Sequence, residues 1–225
     1  GVTATTATTG TAGTTGRLFY SSNSEGVDRI YALQFGTQNA TLTEVLTEGR
    51  QPSLQPGGVR LAFQSTASDS LGLGGFDVDT GLRVNFTTNL EDSLPRWNPA
   101  DGQIAFSSTR YGDGRERVYT VWPDGRSEAL DLGEGSDPDW SPDGTRLVYK
   151  GCDAQGVNCG LWTMGRDGSD RRALTANAGD ARPRWSPDGA RVVFMSDQRD
   201  GNWDVYSVAI ESSEVTRITF NPALD

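Results

Sequence analysis

The chain has 225 residues, with 20 Lys and Arg against 30 Asp and Glu, a net charge of −10 and an isoelectric point near 4.5. That charge argues against nucleic acid and anionic lipid as partners, since both select basic faces; no apolar run reaches the roughly 18–20 residues of a membrane helix, so no membrane span is expected. Histidine is absent, which removes Ser-His-Asp and Cys-His catalysis, histidine-ligated zinc and histidine-based pH switching.

Residues 1–16, GVTATTATTGTAGTTG, form a low-complexity tract. Such a tract reads as a linker or a glycosylated stalk, but threonine is β-branched and strand-competent. We therefore expect a strand added to a sheet edge. An opening at Gly1 rather than Met fits a processed protein or an excised fragment.

From Arg17 to Asp225 one unit repeats. WSPDGARVVFMS begins at Trp185, WSPDGTRLVYKG at Trp140, WNPADGQIAFSS at Trp97 and LQPGGVRLAFQS at Leu54, a period of 43–45 residues. The first copy keeps only RLFYSS, from Arg17. Each unit opens on an apolar strand, predicted at Leu18–Ser21, Leu61–Gln64, Ile104–Ser107, Leu147–Lys150 and Val192–Met195. A polar loop leads to a second, alternating strand at Arg29–Leu33, Gly75–Val78, Arg117–Trp122, Leu161–Met164 and Trp203–Val208. A tight turn, often Asp-Gly, leads to a third, less apolar strand, the outer edge. These third strands are predicted at Thr41–Leu46, Leu82–Thr87, Ser127–Leu132, Arg171–Thr175 and Val215–Phe220. A short Pro-x-Trp segment returns to the opening motif. No helical pattern occurs. The fold class is all-β, a β-propeller of about five four-stranded antiparallel blades over residues 17–225.

Cys152 and Cys159 flank the polar loop CDAQGVNC between two predicted strands. The spacing suits a disulfide across a hairpin tip; two free thiols are the alternative. A disulfide implies an oxidising compartment. Lys150, the only lysine, ends a predicted strand and is a poor candidate for Schiff-base chemistry.

Pro183-Arg184-Trp185-Ser186-Pro187-Asp188-Gly189, followed by Val193-Phe194, Ser196 and Asp204-Val205-Tyr206, resembles the WD-repeat-like propeller repeats of the TolB family. The unit at Pro138 matches through Trp140, Asp143 and Gly144, and that at Pro95 through Trp97. The resemblance covers about residues 17–225. It implies a non-catalytic propeller, often outside the cytoplasm, serving as an interaction platform, a sensor domain or a lid beside a hydrolase. The motif residues Trp97, Trp140, Asp143, Gly144, Trp185, Asp188 and Gly189 read as structural: the Trp fills space between blades, Asp accepts backbone N–H groups, and Gly supplies positive φ.

Propeller ligands usually sit over the channel face. The candidate binding residues there are Arg50, Arg96, Arg110, Asp139, Arg184, Arg199 and Asp200. Such mixed Arg and Asp suits a peptide or polar ligand; solvated local ion pairs are the plainer account. Clustered carboxylates allow Ca²⁺, yet no loop carries Asp-x-Asp-x-Asp-Gly, and no other cofactor is expected. Carboxylates alone also serve glycosidases, although Asp139 is the only acid in the Pro-x-Trp slot.

The expected function is a non-enzymatic, extracytoplasmic module (periplasmic, cell-surface or secreted) that binds a protein or peptide. The alternative is a homopolymer built by strand addition through residues 3–15, since the first unit lacks its inner strand.

Overall fold

A computed structural model describes residues 3–7, 16–23, 26–36, 40–199 and 201–220. Its strands form five four-stranded antiparallel sheets, the blades of a β-propeller. The first is β1 (Thr3–Ala7), β2 (Gly16–Ser22), β3 (Arg29–Phe35) and β4 (Ala40–Thr47). The second is β5 (Gly49–Leu54), β6 (Arg60–Ser65), β7 (Gly72–Asp77) and β8 (Arg83–Asn85). The third is β9 (Ser93–Trp97), β10 (Ile104–Ser108), β11 (Arg117–Val121) and β12 (Leu130–Glu134). The fourth is β13 (Ser136–Trp140), β14 (Arg146–Gly151), β15 (Gly160–Gly165) and β16 (Arg172–Ala173). The fifth is β17 (Asp180–Trp185), β18 (Arg191–Ser196), β19 (Asp204–Ala209) and β20 (Val215–Arg217). The chain divides into two compact units, residues 1–97 with 123–126, and residues 98–122 with 127–225.

In the first unit, part of the Thr-rich tract is a strand. β1 pairs antiparallel with β2, Thr3 opposite Ser21 and Thr5 opposite Phe19. The missing inner strand of the first repeat is thus supplied within the same chain. Phe19, Ile30, Ala32, Leu46, Leu61 and Phe63 form one core cluster from the first two blades. Trp97 donates its indole N–H to the Ser53 carbonyl at 3.1 Å and meets Phe86 edge-on at 5.6 Å.

The second unit holds two further clusters. Ala105, Val118, Leu132, Trp140, Leu147, Tyr149 and Met164 fill one. Val148, Leu161, Leu174, Val192, Phe194, Tyr206 and Val208 fill the other. Each cluster takes side chains from neighbouring blades, as alternate residues of a strand face opposite ways. Burying each large side chain contributes roughly 1.5–3 kcal/mol.

Three outer strands are shorter than their sequences predict, β8 and β20 with three residues and β16 with two, whereas β4 runs longer, over Ala40–Thr47. A threonine hydroxyl takes over where the ladder stops. Thr87, Thr175 and Thr219 Oγ1 accept the N–H groups of Leu73, Leu161 and Val205 at 2.9, 3.0 and 2.9 Å. At the same place the Leu73, Leu161 and Val205 carbonyls each accept two successive backbone N–H groups, which breaks the regular ladder.

Candidate binding site

In the fourth and fifth blades the two ends differ in kind, and at one end lie the Trp-x-Pro-Asp-Gly turns. Ser141 Oγ donates to Asp143 Oδ1 at 2.6 Å, and the same oxygen accepts the Thr145 N–H at 3.0 Å. Ser186 and Asp188 repeat the pattern at 2.6 Å, with the Ala190 N–H at 3.0 Å. These bonds, the serine hydroxyl's first, hold both carboxyls below the usual carboxylate range. Gly144 and Gly189 sit at φ 70° and 71°. Every polar atom of Asp143 and Asp188 named here serves the turn.

The inner strands carry a second repeated device. Gln51, Leu94, Asp137 and Arg182 have φ between 52° and 55°, and each precedes a proline. A bulge accompanies it in β5, β13 and β17. The freed N–H finds a side-chain acceptor. Gln51 donates to Ser21 Oγ at 3.2 Å, and Leu94 to Gln51 Oε1 at 2.8 Å. Asp137 donates to Ser107 Oγ at 2.9 Å.

The candidate residues named from sequence take several posts. Arg50 Nε donates to Gln64 Oε1 at 2.9 Å. Arg96 and Arg184 adopt one posture, each donating Nη1 to the carbonyl of the proline before it, at 2.9 and 2.6 Å. Asp139 accepts the Trp185 backbone N–H at 2.9 Å, tying the fourth blade to the fifth. Arg110 lies 5.1 Å from the centroids of both Phe106 and Tyr119. Arg199 lies 5.5 Å from Phe194 and Tyr206, and grips the fully buried Asp180 with Nε at 2.9 Å and Nη2 at 2.6 Å. Asp200 lies outside the described residues. None of the six described residues lines the main cavity of the second unit.

That cavity measures about 500 Å³. It lies at the end of the blades opposite the Asp-Gly turns, where β12 passes to β13 and β14 to β15. One wall is the loop tied by the Cys152–Cys159 disulfide. Asp153 organises that loop: its Oδ1 accepts the Val157 and Gln155 N–H groups at 2.8 and 3.2 Å, and its Oδ2 the Asn158 amide. The Val157 N–H above all keeps this carboxyl ionised below its usual range. The floor is backbone at Gly135 and Gly151, which must lack a Cβ because the buried Tyr149 ring lies against both. Arg115 and Glu134 pair at 2.5 Å on the rim. Lys150, Glu116, Ser136, Gln155 and Ala178 complete the lining. Sequence reasoning passed over Lys150; its signal was a departure from the repeat, where other copies place Ser21, Gln64, Ser107 and Met195.

Among the described residues, no three His, Cys, Asp or Glu side chains are grouped to hold a metal ion. No described helix is long and apolar enough to cross a membrane.

The TolB β-propeller domain family matches residues 128–224, which hold the two complete repeats. Residues 128–224 are therefore similar to the repeats of that family, and the whole chain shares the β-propeller fold. Its fold is similar to that of TolB from Acinetobacter baumannii, with a TM-score of 0.76 at 18% identity over 90% of this chain and 52% of that one. A putative TolB from Agrobacterium tumefaciens is similar with a TM-score of 0.69 at 23% identity, covering 82% and 68%. An oligogalacturonate lyase from Vibrio parahaemolyticus shares the fold with a TM-score of 0.62 at 15% identity, covering 92% and 62%. The chain thus spans about half the length of the Acinetobacter protein. No curated protein matches its sequence.

Proposed function

We propose that this propeller is a non-catalytic binding module for a protein or peptide, working outside the cytoplasm. The observation that carries the reading is the cavity beside the disulfide-tied loop. Its volume of about 500 Å³ falls among ligand sites of roughly 300–1,000 Å³. A wall already fixed by a covalent tie and by Asp153 has less freedom to lose on binding.

Three further features support binding over turnover. The chain has no histidine to move protons near neutral pH. Of the three acids lining the cavity, Glu134 is paired with Arg115 and Asp153 is committed to its own loop, which leaves Glu116 without the second free carboxylate of an acid–base pair. The likeness to a lyase is one of fold, and fold alone carries no chemistry. The disulfide supports an oxidising compartment, and the charge of −10 disfavours a strongly acidic partner.

A displayed peptide library tests the reading. Selected peptides are expected to bind the oxidised protein saturably. They should fail on Ala178→Trp, which sets an indole over the cavity from an exposed position, while its unfolding temperature stays unchanged. Absence of any saturable binder, or binders indifferent to the substitution, would overturn it.

A further inference from the structure

We infer that Lys150 is the anchor for a peptide's C-terminal carboxylate. The inference rests on the cavity being the binding site and names the chemistry it selects.

The repeat supplies its own control. Lys150 stands on the fourth blade where Ser21 and Ser107 stand on the first and third. Both serines do the same work: the hydroxyl accepts the left-handed backbone N–H that precedes the next inner-strand proline. An ammonium has three donors and no acceptor, so Lys150 cannot do this for the Arg182 N–H. The second and fifth copies, with Gln64 and Met195, also leave that role, so the position is free to carry another function on the fourth blade.

The ammonium is also uncommitted. Three carboxylates line the same cavity, yet among the described residues no ion pair reaches Lys150 within 4.0 Å, while Glu134 takes Arg115. Glu134 is held by Arg115, Asp153 by its own loop, and no ion pair within 4.0 Å joins Glu116 to the ammonium, which leaves the cation open to an incoming anion. The acids on the wall limit that anion to one charge, since a second would face Glu116, Glu134 and Asp153. A peptide's terminal carboxylate fits: one charge, at the end of a chain, with backbone amides behind it. The small lining residues Gly135, Gly151, Ala154, Gly156 and Ala178 leave room for the terminal side chain. Among the described residues no aromatic ring lines the cavity, so they offer a uronate sugar, the other common carboxylate ligand, nothing on which to stack.

Lys150 being the only lysine makes the test direct. Reductive ¹³C-methylation gives one lysine side-chain NMR signal. N-acetyl-trialanine with a free carboxylate is expected to move that signal saturably. Its C-terminal amide should bind at least tenfold more weakly, and Lys150→Gln should lose that preference with its unfolding temperature unchanged. Equal response to acid and amide, no response to either, or a larger response to galacturonate would overturn the inference. If library peptides bind Ala178→Trp-sensitively while the lysine signal stays silent, the cavity reading stands and the anchor fails. If library peptides also fail, the binding-site reading has failed with it.

Discussion

Gly144 and Gly189 hold the same place in the same turn, at nearly the same φ, but their surroundings differ. A Cβ on Gly144 would fall on Asn98 Oδ1 and within 2.7 Å of Ala100 Cβ; one on Gly189 would meet only Pro142, at 3.7 Å. Asn98 is buried and cannot step aside, because its amide donates to the Gly144 carbonyl and accepts the Ala100 N–H. Gly189→Ala should therefore cost about 1–2 kcal/mol for the left-handed backbone alone. Gly144→Ala should cost roughly 1–3 kcal/mol more, for overpacking. Urea unfolding of the two variants checks the ranking; equal losses would contradict it. Arg199 makes a different case. Its guanidinium grips a carboxylate with no exposed surface, so Arg199→Ala strands a buried charge at a cost of about 3 kcal/mol. Arg199→Lys should recover little of this, because an ammonium cannot form the two-pronged contact. Thermal unfolding measures both.

At the scale of elements, the loop between β14 and β15 carries the functional argument. Its disulfide closes a short loop, and such closures contribute on the order of 2–3 kcal/mol in the entropy model. Reduction should raise hydrogen exchange over residues 152–159 and weaken cavity binding, while the Asp-Gly turns of the fourth and fifth blades keep their protection. Exchange mass spectrometry reads this by segment; protection lost uniformly would contradict a local role. The same loop shows where reading from sequence stopped. Strand order and blade count were legible because alternation and a 43–45-residue period survive in five copies. The Asp-Gly turns were legible because turn chemistry is local. The cavity was not, because it is made by Glu116, Gly135, Lys150 and Ala178, which come from separate connections and share no motif. The arginines that drew attention are instead spent locally, on proline carbonyls at Arg96 and Arg184 and on ring faces at Arg110 and Arg199.

For the whole molecule, charge and acid response follow from the turn carboxylates. Asp143, Asp153, Asp167, Asp170 and Asp188 all have lowered pKa values, through hydrogen bonds from neighbouring hydroxyl, amide and guanidinium groups. A depressed folded-state pKa contributes stability that is present above the unfolded value, about 3.9, and lost as pH falls through the folded one. The melting temperature should thus hold from neutral pH to about 5, then fall steeply below about 4; a flat profile there would contradict the turn account. The inner strand β1 pairs within its own chain, so light scattering is expected to give a monomer of 24.2 kDa. A mass that rises with concentration would instead mean that β1 is exchanged between copies.

The proposed binding at the disulfide-walled cavity can be set directly against binding at the inner-strand arginines. Fluorescence anisotropy with one library-selected peptide decides it, titrated with the unmodified protein, Ala178→Trp and Arg184→Ala. Ala178→Trp is expected to abolish saturable binding, and Arg184→Ala to leave the Kd within about twofold, less than 0.5 kcal/mol. Loss of binding with Arg184→Ala and its retention with Ala178→Trp would contradict it.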